Sequence, residues 1–168
     1  MPHLTTNGVS FHYEDTRGAG PAIVFSHGLL MSGRMFSAQM QALSDRYRCV
    51  AYDHRGQGES SDPGGRVHDM ETCYRDAVAV IEALDARPCH FVGLSMGGFV
   101  GMRLAARRPD LLYSLTLMET SAEPEPGQTD PGYKSNDSQQ LDNLMESTGG
   151  NEQPPPATQD NGGQETGQ

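Results

Sequence analysis

The spacing of apolar positions changes in a regular way over the first 118 residues, and each change marks an element. His3–Thr6 and Val9–Glu14 flank Asn7-Gly8, a strong short-range hairpin signal because both turn residues tolerate positive φ. Ala22–Ser26 is an unbroken apolar run, as expected of a strand in a sheet covered on both faces. Ser32 can cap a helix to about Leu43, with Phe36, Met40 and Leu43 on one face. Tyr47–Tyr52 predicts another strand, ending at Asp53. Asp69 can cap a helix to about Ala86, with an apolar stripe of Tyr74, Ala77, Val78, Ile81 and Leu84. Its charged side is Glu71, Arg75, Glu82 and Asp85. Cys89–Val92 reads as a short buried strand, Phe99–Arg108 as a helix stopped by Pro109-Asp110, and Leu111–Met118 as a final strand. Strands alternating with helices of this length predict an α/β fold, a mostly parallel sheet with helices on both faces.

The pattern then stops. Residues 1–118 carry 11 Arg, no Lys and 12 acidic residues, a balance of −1. Residues 119–168 carry Lys134 against 10 acidic residues, a balance of −9, which completes the net −10. This last stretch has no Val, Ile, Phe or Cys, and too little apolar surface to offset the entropy of ordering. The chain is therefore expected to divide into a folded domain over 1–122 and a disordered, low-complexity acidic tail over 123–168. The acidity belongs to the tail and argues against nucleic acid as a partner.

Cys49, Cys73 and Cys89 are odd in number and lack metal or redox spacing, so buried thiols are expected. No His/Cys/carboxylate cluster has ligand spacing, and neither metal nor nucleotide cofactor is implied. No signal-like opening and no long apolar run occur, so no membrane contact and a cytoplasmic location are expected.

The candidate chemistry lies at Gly93-Leu94-Ser95-Met96-Gly97, between a strand and a helix. Gly-x-Ser-x-Gly is the spacing of a nucleophile elbow. The serine takes a strained conformation at the tip of a tight turn, so its neighbours two before and two after must be nearly side-chain-free. The helix N-terminus beneath it favours a developing negative charge. A glycine-rich turn with a chance serine competes with this reading. A dinucleotide fingerprint does not, because Ser95 stands where the backbone must approach a pyrophosphate.

Three motifs occur in order, each at the end of a strand: His27-Gly28, Asp53-x-Arg55-Gly56-x-Gly58-x-Ser60, and Gly93-x-Ser95-x-Gly97-Gly98. Together they resemble the N-terminal half of an α/β-hydrolase, most closely the esterase, enol-lactonase and cofactor-free haloperoxidase-like branch. The resemblance covers about residues 5–125, with nothing matching beyond Pro126, and implies a partial α/β-hydrolase fold. It implies Ser95 as nucleophile and the backbone N–H groups of Leu29 and Met96 as the oxyanion hole. It makes His27 and the Asp53–Ser60 segment structural, with Arg55 binding carbonyls or a carboxylate. Its substrates would be small esters, lactones or thioesters.

Here the chain departs from the family. A serine alkoxide needs an imidazole to take its proton and a carboxylate to orient that imidazole, in the chain order Ser, acid, His. The histidines are His3, His12, His27, His54, His68 and His90, and none follows Ser95. Glu119, at the end of the last strand, could serve as acid, as in branches that place it there. The abrupt change of composition near Gly127 suggests a shifted reading frame or early stop, which the other two nucleotide frames would test. Two functions stay open: a serine hydrolase acting through a Ser95 acyl-enzyme, inactive or crippled without its histidine, and a non-catalytic fragment that binds or regulates. A histidine borrowed from a second chain, or His54 or His68, is a third possibility.

Overall fold

A computed structural model of the chain describes residues 2–62, 64 and 69–121. Six strands form one sheet: β1 (His3–Thr6), β2 (Val9–Asp15), β3 (Ala22–Ser26), β4 (Arg48–Tyr52), β5 (Cys89–Leu94) and β6 (Leu112–Met118). Their spatial order is β1-β2-β4-β3-β5-β6. The β1–β2 hairpin and the β2–β4 pair are antiparallel, while β4, β3, β5 and β6 run parallel. The hairpin turn has Asn7 and Gly8 at positive φ (47° and 74°), as the dipeptide predicts. The expected tail lies outside the described residues.

Three helices cover the sheet: α1 (Ser37–Leu43), α2 (Met70–Ala83) and α3 (Met96–Arg107). Alternation along β3 explains the two layers. Val24 joins Phe11, Tyr52, Ile81, Phe91 and Leu104 in a core under α2 and α3. Ile23 and Phe25 face the other way, onto Phe36 and Met40 of the α1 side. Each such buried side chain contributes roughly 1.5–3 kcal/mol relative to exposure. No described helix is long and apolar enough to cross a membrane.

Three local expectations are corrected. The helix expected from Ser32 is a 3-10 turn over Gly33–Phe36 followed by α1, and Ser32 makes no capping bond. The Met35 N–H that a Ser32 side chain would serve donates to the Ser32 backbone carbonyl at 3.2 Å, and the Gly33 N–H donates to Asp53 Oδ1 at 2.7 Å. The α2 stripe is rotated: Cys73, Asp76, Ala77, Val80 and Ile81 are buried, while Tyr74, Val78 and Leu84 pack at its margin. Asp76 goes inside because it pairs with Arg55 and accepts from Asn7 Nδ2 at 2.6 Å. Finally, α3 begins at Met96 and not at Phe99. Its first-turn glycines lower helix propensity, but tertiary packing overrides that cost.

Among the described residues β6 pairs only with β5, and Tyr113 and Leu117 are exposed on it. All three cysteines are buried and none forms a disulfide, and burial pushes the Cys73 and Cys89 thiols up to about 11 and about 12.

Candidate active site

Ser95 stands between β5 and α3 with φ 48° and ψ −110°, a conformation that L residues rarely adopt. Its backbone is pinned on both sides. The N–H donates to the Met118 carbonyl at 2.9 Å, and its own carbonyl accepts from Gly98 and Phe99 at 2.8 and 3.1 Å. The backbone is thus fixed, while the side chain makes no capping bond to the helix it opens.

The glycines act as the motif requires. A Cβ on Gly93 would overlap the Gly97 carbonyl, and a Cβ on Gly97 would overlap the Ser26 carbonyl oxygen. Met96 opens α3, and N–H groups in a first turn lack intrahelical acceptors. The helix dipole adds a partial positive charge at the same place.

The loop after β3 lies against this elbow. A Cβ on Gly28 would sit 3.6 Å from the Ser95 Cβ. Leu29 follows, and among the described residues its N–H meets no acceptor. Leu30 has φ 59°, and the Met31 N–H closes a turn on the Gly28 carbonyl at 3.3 Å. Leu29 and Leu30 are 62% and 87% exposed, an apolar lip beside the serine.

His27 holds this loop from below. Its Nδ1 bonds the Gly28 carbonyl at 2.7 Å, so its Nε2 accepts from the His54 N–H at 2.9 Å. Burial lowers the His27 pKa against the Gly28 bond, and lowers that of His54 to about 3. Both are neutral near pH 7. His54 Nε2 in turn bonds Ser26 Oγ at 3.0 Å. His12 pairs with Asp53 at 3.0 Å, His90 with Ser114 at 2.9 Å, and His3 with Ser10 at 3.4 Å. Each described histidine thus bonds a group other than the Ser95 hydroxyl, while His12 Nε2 and His54 Nδ1 are buried without a partner, and His68 lies outside the described residues.

Asp53 organises the second motif. Its carboxylate accepts from the Gly33 N–H at 2.7 Å, the Glu59 N–H at 2.8 Å and His12 at 3.0 Å. A Cβ on Gly58, which has φ 56°, would overlap that carboxylate. Arg55 binds the buried Asp76 carboxylate through Nε, and through Nη2 at 2.5 Å. The segment is architectural, as its glycines and arginine predict. One side chain in it reaches further: Gln57 Oε1 accepts from the Leu30 N–H at 2.7 Å, and its Nε2 lies 3.7 Å from Met96 Sδ. Sequence reasoning took the segment as a whole and missed this residue, and only its place between two motif glycines hinted at a turn apex.

Glu119 follows Met118, whose carbonyl holds the Ser95 N–H, and has φ 47°. It is exposed, and the described residues give its carboxylate no partner. A cavity of about 350 Å³ lined by Pro21, Arg48, Arg87 and Tyr113 opens where β3, β4, β5 and β6 begin. Ser95 lies at the opposite, carboxyl end, where open α/β sheets place their ligands, so the cavity is unrelated to the elbow.

The α/β-hydrolase fold family model matches residues 21–155. The chain belongs to the α/β-hydrolase family. The match runs past residue 126, further than the sequence motifs alone reach. The chain is 38% identical over 130 residues to a provisionally named carbamate hydrolase RutD from Caulobacter vibrioides, covering 75% of this chain and 48% of that protein. A protein of the same name from Pseudomonas syringae is 35% identical over 106 residues, covering 63% of this chain and 41% of that one. The enol-lactonase of Burkholderia xenovorans superposes with a TM-score of 0.68 at 35% identity, covering 73% of this chain and 48% of that one. A thermophilic esterase from Thermogutta terrifontis gives 0.69 at 30%, covering 76% and 48%. This α/β-hydrolase chain thus spans less than half the length of these relatives.

Proposed function

We propose that this chain carries the nucleophile half of a serine hydrolase, acting on a small ester, lactone or thioester through a Ser95 acyl-enzyme. The observation that carries the reading is the backbone of Ser95, strained and tied at both ends, with a side chain that makes no capping bond. The likeness to an enol-lactonase and an esterase supports the same reaction class. Ser95 Oγ would add to the substrate carbonyl carbon as its proton passes to a base. The carbonyl oxygen, now negative, would sit between the N–H groups of Leu29 and Met96. Collapse expels the alcohol or thiol, which leaves with a proton, and water then releases the acid.

No histidine follows Ser95 in the sequence and no described histidine bonds its hydroxyl, so turnover would be crippled or lost. Glu119, which follows the Met118 whose carbonyl accepts the Ser95 N–H, would orient a histidine supplied from elsewhere. The same lack of a partnered imidazole favours the second reading, a non-catalytic fragment that binds or regulates. A reducing, cytoplasmic setting is part of the proposal and rests on three buried cysteines outside any disulfide.

A fluorophosphonate probe tests it. Covalent labelling of the folded chain, lost in Ser95→Ala, is the expected result. Folded protein that stays unlabelled at about pH 9, where hydroxide can take the serine proton, rejects the hydrolase reading.

A further inference from the structure

We propose that Gln57 is a positioning residue that holds the two walls of the anion site in register. The inference rests on the reading of Ser95 as nucleophile and extends it to a residue with no reacting atom. The two N–H groups offered to an oxyanion come from separate segments, the loop after β3 and the first turn of α3. Neither segment bonds the other directly in the described structure. Gln57 touches both. Its Oε1 accepts from the Leu30 N–H at 2.7 Å, one residue past the Leu29 amide, and its Nε2 lies 3.7 Å from Met96 Sδ.

The orientation of the side chain follows from those partners. The acceptor end must face the Leu30 N–H, so the donor end faces the methionine sulfur, a weak acceptor. The Gln57 backbone is itself fixed: its N–H donates to the His54 carbonyl at 3.0 Å, and its carbonyl accepts from Ser60 at 3.1 Å. Asp53 anchors the same turn through Glu59. A rigid arm thus reaches a loop that needs holding, because Leu30 sits at φ 59° and is 87% exposed. A non-glycine residue there costs about 1 kcal/mol or more and persists only when its surroundings impose it. With that N–H released, the turn can relax and carry the Leu29 amide away from the position where charge develops.

The experiment uses the full chain with Gln57→Met, which keeps length and removes both polar ends, and Gln57→Glu, which keeps the acceptor for Leu30. Two quantities are read: hydrogen exchange of the Leu30 amide, and the rate and affinity constants of fluorophosphonate labelling at about pH 9. In Gln57→Met, Leu30 exchange is expected to speed up about tenfold, with the Ser95 amide unchanged as evidence that the elbow stays folded. The maximal labelling rate falls about tenfold with little change in probe affinity, the mark of misplaced anion donors rather than lost binding. Gln57→Glu keeps Leu30 exchange slow, yet labels slowly because its charge lies beside the anion site. Wild-type labelling with an unchanged maximal rate in Gln57→Met overturns the role given to Gln57 alone. Absence of wild-type labelling overturns the hydrolase reading and this role with it.

Discussion

The Ser95 amide donates to the Met118 carbonyl at 2.9 Å, so the strained elbow is tied to the last residue of the edge strand. Ser95 also stands next to Gly28 of the β3 loop, and the three motifs therefore meet at the carboxyl ends of neighbouring strands. Strain at this one serine is maintained by the sheet around it.

That strain has a measurable cost. Ser95→Gly removes the Cβ from a φ of 48° and is expected to stabilise the chain by about 1 kcal/mol, raising Tm by roughly 3 °C. Labelling by fluorophosphonate disappears in the same variant. A Tm at or below wild type would show that the elbow is relaxed.

Gly97→Ala should act in the opposite direction. The new methyl would overlap the Ser26 carbonyl oxygen, which belongs to β3 and cannot swing aside as a side chain end could. Urea unfolding is expected to show a loss of about 3 kcal/mol or a chain that no longer folds. A midpoint like that of wild type would show that α3 can shift off the sheet.

Asp53→Ala leaves the Gly33 and Glu59 N–H groups and His12 without their shared acceptor. Buried donors left unsatisfied cost about 1–3 kcal/mol each, so a loss of at least 3 kcal/mol is expected in urea unfolding. The loop 54–60 should also lose protection in hydrogen exchange. A loss below about 1 kcal/mol would show that water replaces the carboxylate.

Stability should fall with acid below about pH 6.5. His54 is buried with its pKa lowered to about 3 from an unfolded value near 6.5, and His27 is lowered in the same direction. Above 6.5 neither state binds the proton and the two groups contribute nothing. Below it the unfolded chain takes up protons that the native chain cannot hold, at a cost of about 1 kcal/mol per pH unit for His54. Tm measured from pH 7 to pH 5 should drop, and His54→Gln should flatten the curve despite a lower starting point. An unchanged slope in that variant would assign the acid sensitivity elsewhere.

Much of the fold was legible because its signals are local. Ala22–Ser26 reads as a strand by its continuous apolar run, and Asn7-Gly8 as a turn by its φ preference. The cap at Asp69 was also visible, and its carboxylate accepts from the Thr72 N–H at 2.6 Å. The α2 stripe was misread because period alone treats aspartate as a solvent-facing residue. Asp76 is inside only because Arg55 and Asn7, remote along the chain, come to meet it. Ser32 makes no cap bond because the turn it opens is 3-10, whose Met35 N–H closes onto the Ser32 backbone carbonyl at 3.2 Å.

By itself, then, the chain's order of residues determined where most strands and helices lie, where the elbow serine stands, and that no histidine follows it. These follow from short-range sterics, apolar periodicity and the plain count of residues. Only the tertiary structure decided that Asp53 anchors Gly33 and His12, that His27 faces His54, and that Gln57 bridges Leu30 and Met96. Those bonds join side chains and backbone groups far apart along the chain, and they exist only because the sheet brings the loops after β3, β4 and β5 to one edge.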